Sequence, residues 1–345
     1  MPTQIDIGRR YRTSDDPARD SYSFLGRTVP QSWPDRFREA AVNGQRIAVT
    51  GSNGAIGRRL IARLEAKGFE VVALQRDLTN GHGSTTAVRP FDLTDPASVM
   101  AEQLSDVSQL VHLAATMPGM ISGSDADASL WTLNVLGTQR LIEAMNIANV
   151  KRIVLAGAAN VYRADQNEAH EDSPLGPQSR VLYLASKASQ EWLVASLCRE
   201  HDIDYAILRI SSVIGDGRSI VDKLARSLAL GRTIQIQDGA AFGADFIDCL
   251  DVCNGLLLAI ELQLSGVYNL STGHRTELID VVIKFAELLQ RPSSAIEIVH
   301  ANRAPDAGFP AVNSDRFKSL GFTPTPLPEV LERIARTAAT AGDSL

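Results

Sequence analysis

The chain has 345 residues, with 34 Lys and Arg against 40 Asp and Glu, for a formal net charge of −6 at pH 7. A net negative chain without a basic run argues against a nucleic-acid surface, and no apolar stretch is long enough to span a bilayer. Three cysteines, Cys198, Cys249 and Cys253, are too few for a disulfide framework and fit a reducing cytoplasm. Cys249 and Cys253 would share a helix face, but no histidine stands near enough in sequence to complete a metal set, so no metal is expected and both read as small core residues. The N-terminus has no apolar secretory segment. The length allows one large α/β domain or two modest ones.

Residues 1–43 differ from the rest. They are rich in Arg, Asp, Ser and Pro, lack a sustained period, and carry scattered aromatics (Tyr11, Tyr22, Phe24, Trp33, Phe37). Such a segment suits a partly ordered N-terminal arm that docks on the body or on a second subunit, with a short helix over Asp35–Val42. From Gln45 the pattern becomes regular. Apolar runs at Arg46–Thr50, Phe69–Leu74, Val88–Phe91, Gln109–Ala114, Arg152–Ala156 and Tyr205–Arg209 are strand candidates, with helices between them at Ala55–Lys67, Ser129–Ile147 and Tyr183–His201. This alternation predicts an α/β fold with a parallel sheet covered on both faces, and ligands at the carboxyl ends of its strands near the topological switch point. Beyond Gly215, helices are expected over Ile220–Leu230, Asp251–Leu262, Glu277–Leu289 and Leu327–Ala338, with short strands at Thr233–Gln237 and Ile296–Val299. Residues 44–214 therefore read as the sheet domain. Residues 215–345 read as a smaller lobe interleaved with it, since no low-complexity linker intervenes.

After the first strand the chain reads Thr50-Gly51-Ser52-Asn53-Gly54-Ala55-Ile56-Gly57. Gly51 allows a tight turn, Gly54 lets backbone approach a phosphate, and Gly57 lets the helix pack closely on the sheet. The helix N-terminus then offers free N–H groups and a positive dipole end to a dinucleotide pyrophosphate. At the end of the second strand, Leu74-Gln75-Arg76-Asp77 places Gln75 where a carboxylate would accept from a ribose 2′-hydroxyl. Arg76 can pair with a 2′-phosphate, which favours NADP over NAD, although Asp77 offers an acid one step late. Asp92 reads equally as an acceptor for the adenine amine or as a helix cap ahead of Pro96.

Further along, Tyr183-Leu184-Ala185-Ser186-Lys187 sets a phenol and an ammonium at i,i+4, on one helix face. An ammonium there stabilises a phenolate and is expected to bring the tyrosine down from about 10 toward working pH, making it a general acid or base.

The order of these motifs, from about Gln45 to about Thr337, resembles the extended short-chain dehydrogenase/reductase family, the NAD(P)-dependent sugar epimerase/dehydratase group. The matching runs are Thr50–Gly57, Phe91-Asp92-Leu93, Val111-His112-Leu113-Ala114-Ala115, Asn134-Val135-Leu136-Gly137-Thr138, Tyr183 with Lys187, Leu208-Arg209, Asp245-Phe246-Ile247-Asp248 and Tyr268-Asn269-Leu270-Ser271. The resemblance implies a Rossmann-type doubly wound sheet with a smaller C-terminal substrate-binding lobe. It implies cofactor contacts at Gly51, Asn53, Gly54, Ala55, Ile56, Gly57, Asp92, Leu93, Leu113, Ala114, Ala115, Tyr183 and Lys187. Lys187 would also reach the nicotinamide ribose, and Asn134 would be a structural or proton-relay residue. A homodimer through Ser129–Ile147 and Tyr183–His201 is likewise implied.

Three departures narrow the activity. Family members carry a Ser or Thr hydroxyl where this chain has Ala158, in Gly157-Ala158-Ala159-Asn160-Val161-Tyr162. Loss of one such donor costs roughly a hundredfold or more in rate, and Asn160 or Thr116 are candidates to replace it. The same segment holds no carboxylate, which argues against dehydration. The Arg expected before Asp245-Phe246 is Ala244 and the Asn expected after Leu208-Arg209 is Ser212, while Arg303 still matches a phosphate-contacting Arg. The expectation is an NAD(P)-dependent oxidoreductase that interconverts a secondary alcohol and a ketone on a sugar-like substrate, with Tyr183 as acid/base and Lys187 as its electrostatic partner. A sugar or nucleotide-sugar epimerase that retains its cofactor is one alternative; a dinucleotide-binding protein with little turnover is the other.

Overall fold

In a computed structural model describing residues 45–78, 86–117, 126–163, 165–176, 182–237, 242–299 and 308–342, the apolar runs become strands that pair in parallel. The arm expected over residues 1–43, with its short helix, lies outside the described residues. In chain order come β1 (Arg46–Thr50), β2 (Glu70–Gln75), β3 (Ala87–Pro90), β4 (Gln109–His112) and β5 (Arg152–Ala158). Next are β6 (Glu168–Ala169), β7 (Asp204–Ile210), β8 (Ser212–Ile214), β9 (Ile234–Gln237) and β10 (Gly243–Asp248). The last are β11 (Gly266–Leu270), β12 (Arg275–Glu277), β13 (Ile296–Val299) and β14 (Ala311–Val312). One seven-stranded sheet has the order β11-β7-β5-β4-β1-β2-β3, with every neighbouring pair parallel. This is the expected doubly wound arrangement. Its switch point lies between β1 and β4, where Thr50 stands opposite His112.

Strand alternation divides the apolar residues between two faces. Val49, Val111, Val154 and Leu208 pack on one side with Leu60, Leu64 and Leu256. Ala48, Leu110, Ile153 and Ile207 pack on the other with Leu141, Met145 and Val194. A third core, including Ile214, Ile236, Phe246, Phe285 and Ile334, gathers the helices Ile220–Ala229, Leu278–Leu288 and Leu327–Gly342 beside β9 and β10. Between β10 and β12 the chain visits the large sheet through β11.

Element ends shift for local reasons. β4 stops at His112, before the expected Ala114, because the N–H groups of Leu113 and Ala114 turn to Thr50 Oγ1 at 3.2 Å each. β5 runs two residues past Ala156, because Gly157 and Ala158 pair with Arg209 and Ile210. The helix expected over Ser129–Ile147 begins at Ala126, and a π-helical turn, Thr132–Leu136, joins its two α-helical parts. Such turns insert a residue and re-aim the side chains around it.

Below the carboxyl ends of the strands lies a buried ion pair. Arg209 on β7 and Glu191 on the Leu182–Glu200 helix have side chains 6% and 5% exposed. Arg209 Nε donates to both Glu191 carboxylate oxygens at 3.0 Å. Its Nη1 donates to Tyr162 Oη at 2.7 Å and to the Glu171 carbonyl at 2.8 Å, and Tyr162 Oη donates to Asn269 Oδ1 at 2.6 Å. Each charge keeps its partners, the condition on which an ion pair survives away from water. Arg209→Met, which strands the carboxylate, is expected to lower the unfolding free energy by about 3–5 kcal/mol. Combining it with Glu191→Leu should recover much of that loss. Urea unfolding followed by circular dichroism measures both, and a double variant no better than the single would contradict this assignment.

Candidate active site

Past Thr50 the chain must turn beneath the start of the Ala55–Ala66 helix. Gly51 has φ +65°, and a Cβ there would lie 2.8 Å from the Ala114 backbone nitrogen. A Cβ on Gly57 would fall 2.3 Å from the Gly51 carbonyl oxygen, so its absence lets loop and helix touch. Gly54 is the helix N-cap, with no side-chain cap and no acidic residue in the first turn. The first N–H groups and the positive end of the dipole are thereby left for an anion. Ser52 Oγ donates to the Leu74 carbonyl at 3.1 Å and ties the loop to β2. Asn53 Oδ1 is buried without a hydrogen-bond partner, an acceptor that a ligand hydroxyl or amide would satisfy. Uncapped helix, bare backbone and unsatisfied acceptor together fit a dinucleotide.

Gln75 is buried at the end of β2, and Arg76 and Asp77 are exposed beyond it. Asp92 Oδ1 accepts from Thr94 N and Thr94 Oγ1, both at 2.8 Å, in a local turn. The helix that follows has Pro96 as its N-cap, so Asp92 is not the helix cap that one of its two readings made it. Leu93 is buried, and Leu113, Ala114 and Ala115 are half-buried just past β4.

The Leu182–Glu200 helix carries Tyr183, half-buried, and Lys187, buried. Lys187 Nζ donates to the Ala156 carbonyl at 2.8 Å and to Gln190 Oε1. Gln190 Nε2 donates to Thr138 Oγ1 at 2.8 Å. His112 Nε2 lies 3.0 Å from the same hydroxyl, and His112 Nδ1 lies 2.7 Å from Thr50 Oγ1. A continuous buried path thus joins the ammonium to the residue that opens the glycine loop. Asn134, in the π turn, accepts from Thr116 N at 2.8 Å and donates to the Thr116 carbonyl and to Ser186 Oγ at 3.0 Å each. It clamps the segment after β4 to the helix.

The electrostatics run opposite to the expectation for the phenol. Burial pushes Tyr183 up to about 12, where the neighbouring cation was expected to bring it down. Burial also pulls Lys187 down to about 8, against the raising effect of the Glu191 carboxylate. One cause serves both: shielding from water disfavours whichever form is charged. At neutral pH the phenol holds its proton and is prepared to act as an acid.

Ala158 ends β5 half-buried, and two residues on Asn160 Nδ2 donates to Ser212 Oγ at 3.4 Å. The structure therefore brings Asn160 and Ser212 together. Thr116 is buried, with its backbone N–H and carbonyl bonded to Asn134. Ala244 is wholly buried in the third core beside Phe246, so the position where an arginine was expected serves packing. Arg303 lies outside the described residues. Cys198, Cys249 and Cys253 are buried free thiols, and among the described residues no group of three or more His, Cys, Asp or Glu could hold a metal. No helix among them is long and apolar enough to cross a membrane. Sequence reasoning missed Gln190 and the roles of His112 and Thr138. The available signal was spacing, since Gln190 is i+3 from Lys187 on the same helix face.

Residues 47–271 match the sequence model of the NAD dependent epimerase/dehydratase family, as the motif order led one to expect. A dTDP-6-deoxy-L-talose 4-dehydrogenase (NAD(P)(+)) of Kitasatospora kifunensis is 29% identical over 306 residues, which cover 81% of this chain and 91% of that protein. Sterol demethylase protein B of Methylococcus capsulatus is 30% identical over 261 residues, 72% of this chain and 76% of that protein. The UDP-glucose 4-epimerase of Thermus thermophilus, solved in complex with NAD, has the same fold, with a TM-score of 0.75 at 22% identity over 86% of this chain and 100% of that one.

Burial, and then the Lys187 cation, pull His112 from 6.5 down to about 3. The unfolded chain protonates this histidine below about 6.5 while the folded chain does not, so stability falls as pH drops through the interval between the two values. Between pH 7 and pH 5 the expected loss from His112 is about 2 kcal/mol. Urea unfolding at the two pH values should show that loss in the parent and its removal in His112→Gln. An equal loss in both proteins would contradict the buried neutral imidazole.

Proposed function

This chain belongs to the NAD dependent epimerase/dehydratase family, and we propose that it is the oxidoreductase among that family's enzymes which interconverts a ketone and a secondary alcohol on a sugar-like substrate. The observation that carries this reading is the buried path from Lys187 through Gln190, Thr138 and His112 to Thr50. It ties the helix that bears the phenol to the strand that bears the glycine cradle.

The nicotinamide dinucleotide supplies the two-electron hydride chemistry. Gly51, Asn53, Gly54, Ala55, Ile56 and Gly57 would hold its pyrophosphate by backbone N–H groups and the helix dipole. Asp92, Leu93, Leu113, Ala114 and Ala115, at the ends of the neighbouring strands, would line the rest. Tyr183 gives its phenolic proton to the substrate oxygen as the C–O double bond becomes a carbinol, and takes a proton from the carbinol in the reverse direction. Lys187 stabilises the phenolate left behind and offers a donor to the nicotinamide ribose. Asn160 and Ser212 orient the substrate oxygen where Ala158 supplies no hydroxyl. No carboxylate stands in Ala158-Ala159-Asn160 to remove water, so the reaction stops at oxidoreduction.

The Kitasatospora relative acts, by its name, on a deoxysugar nucleotide with NAD or NADP, which supports a sugar-like substrate and leaves both cofactors open. Exposed Arg76 after Gln75 favours NADP. Ala244, committed to the core, removes one diphosphate clamp and favours a smaller polyol, a sugar acid or a modified natural product, with Arg303 as the remaining phosphate contact. Residues 44–214 would bind the cofactor and 215–345 the substrate. Trp131, Leu136, Ile147 and Trp192 are exposed on the helical segments expected to pair in a homodimer. Three free thiols suit the cytoplasm.

Tyr183→Phe is expected to keep cofactor affinity and lower kcat by ~10²–10⁴. Assays with both cofactors against polyols, sugar acids and nucleotide sugars should show one nicotinamide converted per product. Product without net change in nicotinamide absorbance would assign an epimerase instead. Undiminished turnover in Tyr183→Phe would refute the catalytic role. A cellular phenotype that survives Tyr183→Phe but is lost in Gly54→Leu would point to a dinucleotide-binding protein.

A further inference from the structure

Donor counting fixes the direction of each bond in the buried path. Thr50 Oγ1 already accepts from the N–H groups of Leu113 and Ala114, so its own proton goes to His112 Nδ1, 2.7 Å away. Neutral His112 then carries its single proton on Nε2 and donates it to Thr138 Oγ1. The Thr138 proton goes to the Asn134 carbonyl at 2.7 Å, which leaves the Thr138 oxygen to accept from both His112 and Gln190. The Gln190 amide nitrogen is thereby committed to Thr138, and its 3.2 Å approach to His112 Nε2 sets two donors around one acceptor. Gln190 Oε1 must face Lys187. Rotating the amide by half a turn would set its NH₂ against an ammonium and its carbonyl against a hydroxyl with no proton to give.

Lys187 has three N–H donors, and among the described residues the Ala156 carbonyl and Gln190 Oε1 take two of them. We propose that Gln190 is a positioning residue for Lys187, its carbonyl oxygen holding the ammonium so that the third N–H is directed to the ligand. The proposal rests on the catalytic role of Lys187 given above. Gln190 is wholly buried, so it acts through Lys187. Few charged or titratable groups of the described residues face this ammonium. Glu191 lies on the same helix with its carboxylate already paired to Arg209 of β7. His112 of β4 is neutral, and Tyr183 is a phenol. β5 contributes the Ala156 carbonyl, and the Gly137–Ile147 helix contributes the Thr138 hydroxyl.

The test reads the ammonium directly in the full-length protein, by NMR titration of side-chain ¹³C-labelled lysine, with the Lys187 signal assigned by its loss in Lys187→Arg. The parent midpoint is expected at about 8. Gln190→Leu removes an acceptor and should lower it by about one pH unit, whereas Gln190→Glu places a carboxylate there and should raise it by about as much. A residue that only fills space cannot move the midpoint in opposite directions. If Gln190→Leu fails to fold, Gln190→Glu against the parent decides alone. Midpoints that stay put, or that shift the same way in both variants, would overturn the proposal. NADH and NADPH titrations of the parent separate the two readings. Absence of binding would overturn the proposed function and leave the Gln190–Lys187 coupling standing, while unmoved midpoints in a parent that binds either cofactor would overturn the coupling alone.

Discussion

A buried ammonium constrains everything around it. Taking a lysine out of water costs several kcal/mol unless acceptors replace the lost hydration, and Lys187 finds them in the Ala156 carbonyl and Gln190 Oε1. That requirement reaches outward. The Ala156 carbonyl is available because the helix crosses the end of β5. Gln190 is fixed because Thr138 and His112 complete its bonds, and His112 is fixed because Thr50 receives the N–H groups that end β4. The doubly wound sheet thus delivers its switch point and its cation as one hydrogen-bonded unit.

The unit also sets where the proton rests. Shielding that lowers Lys187 raises the Tyr183 phenol, so the site rests with its proton on the tyrosine. Proton donation to a ketone then needs no prior protonation step, whereas alcohol oxidation must first remove that proton. Ala158 is half-buried and carries no hydroxyl, and two residues past it Asn160 donates to Ser212. The glycine cradle is indifferent to direction. It is shaped by what a Cβ would strike: the Ala114 backbone at Gly51 and the Gly51 carbonyl at Gly57.

Much of this was legible in the sequence where the signal is local. The strands of the large sheet up to β7 announce themselves as short apolar runs, the glycine loop by its place between strand and helix, and the phenol–ammonium pair by i,i+4 spacing. What was not legible depends on distant chain. β8, β10 and β12 are strands of three to six residues whose pairing joins segments far apart in sequence. The π turn at Thr132–Leu136 follows from Asn134 having to reach Thr116 and Ser186 together. Ala244 looked like a clamp lacking its arginine, and only the packing of the third core shows that its methyl belongs there. The rise of Tyr183 came out opposite to expectation because charge proximity can be read from spacing, whereas burial is supplied by the whole fold.

The central claim is that the Lys187 ammonium and the Tyr183 phenol face a nicotinamide bound above the glycine loop. A crystal structure of the chain with NADPH tests it most directly. The account predicts the pyrophosphate at the N-terminus of the Ala55–Ala66 helix, with Lys187 Nζ about 3 Å from a nicotinamide-ribose hydroxyl and its bonds to Ala156 and Gln190 intact. Cofactor seated elsewhere, or Lys187 and Tyr183 turned away from the nicotinamide ring, would contradict it.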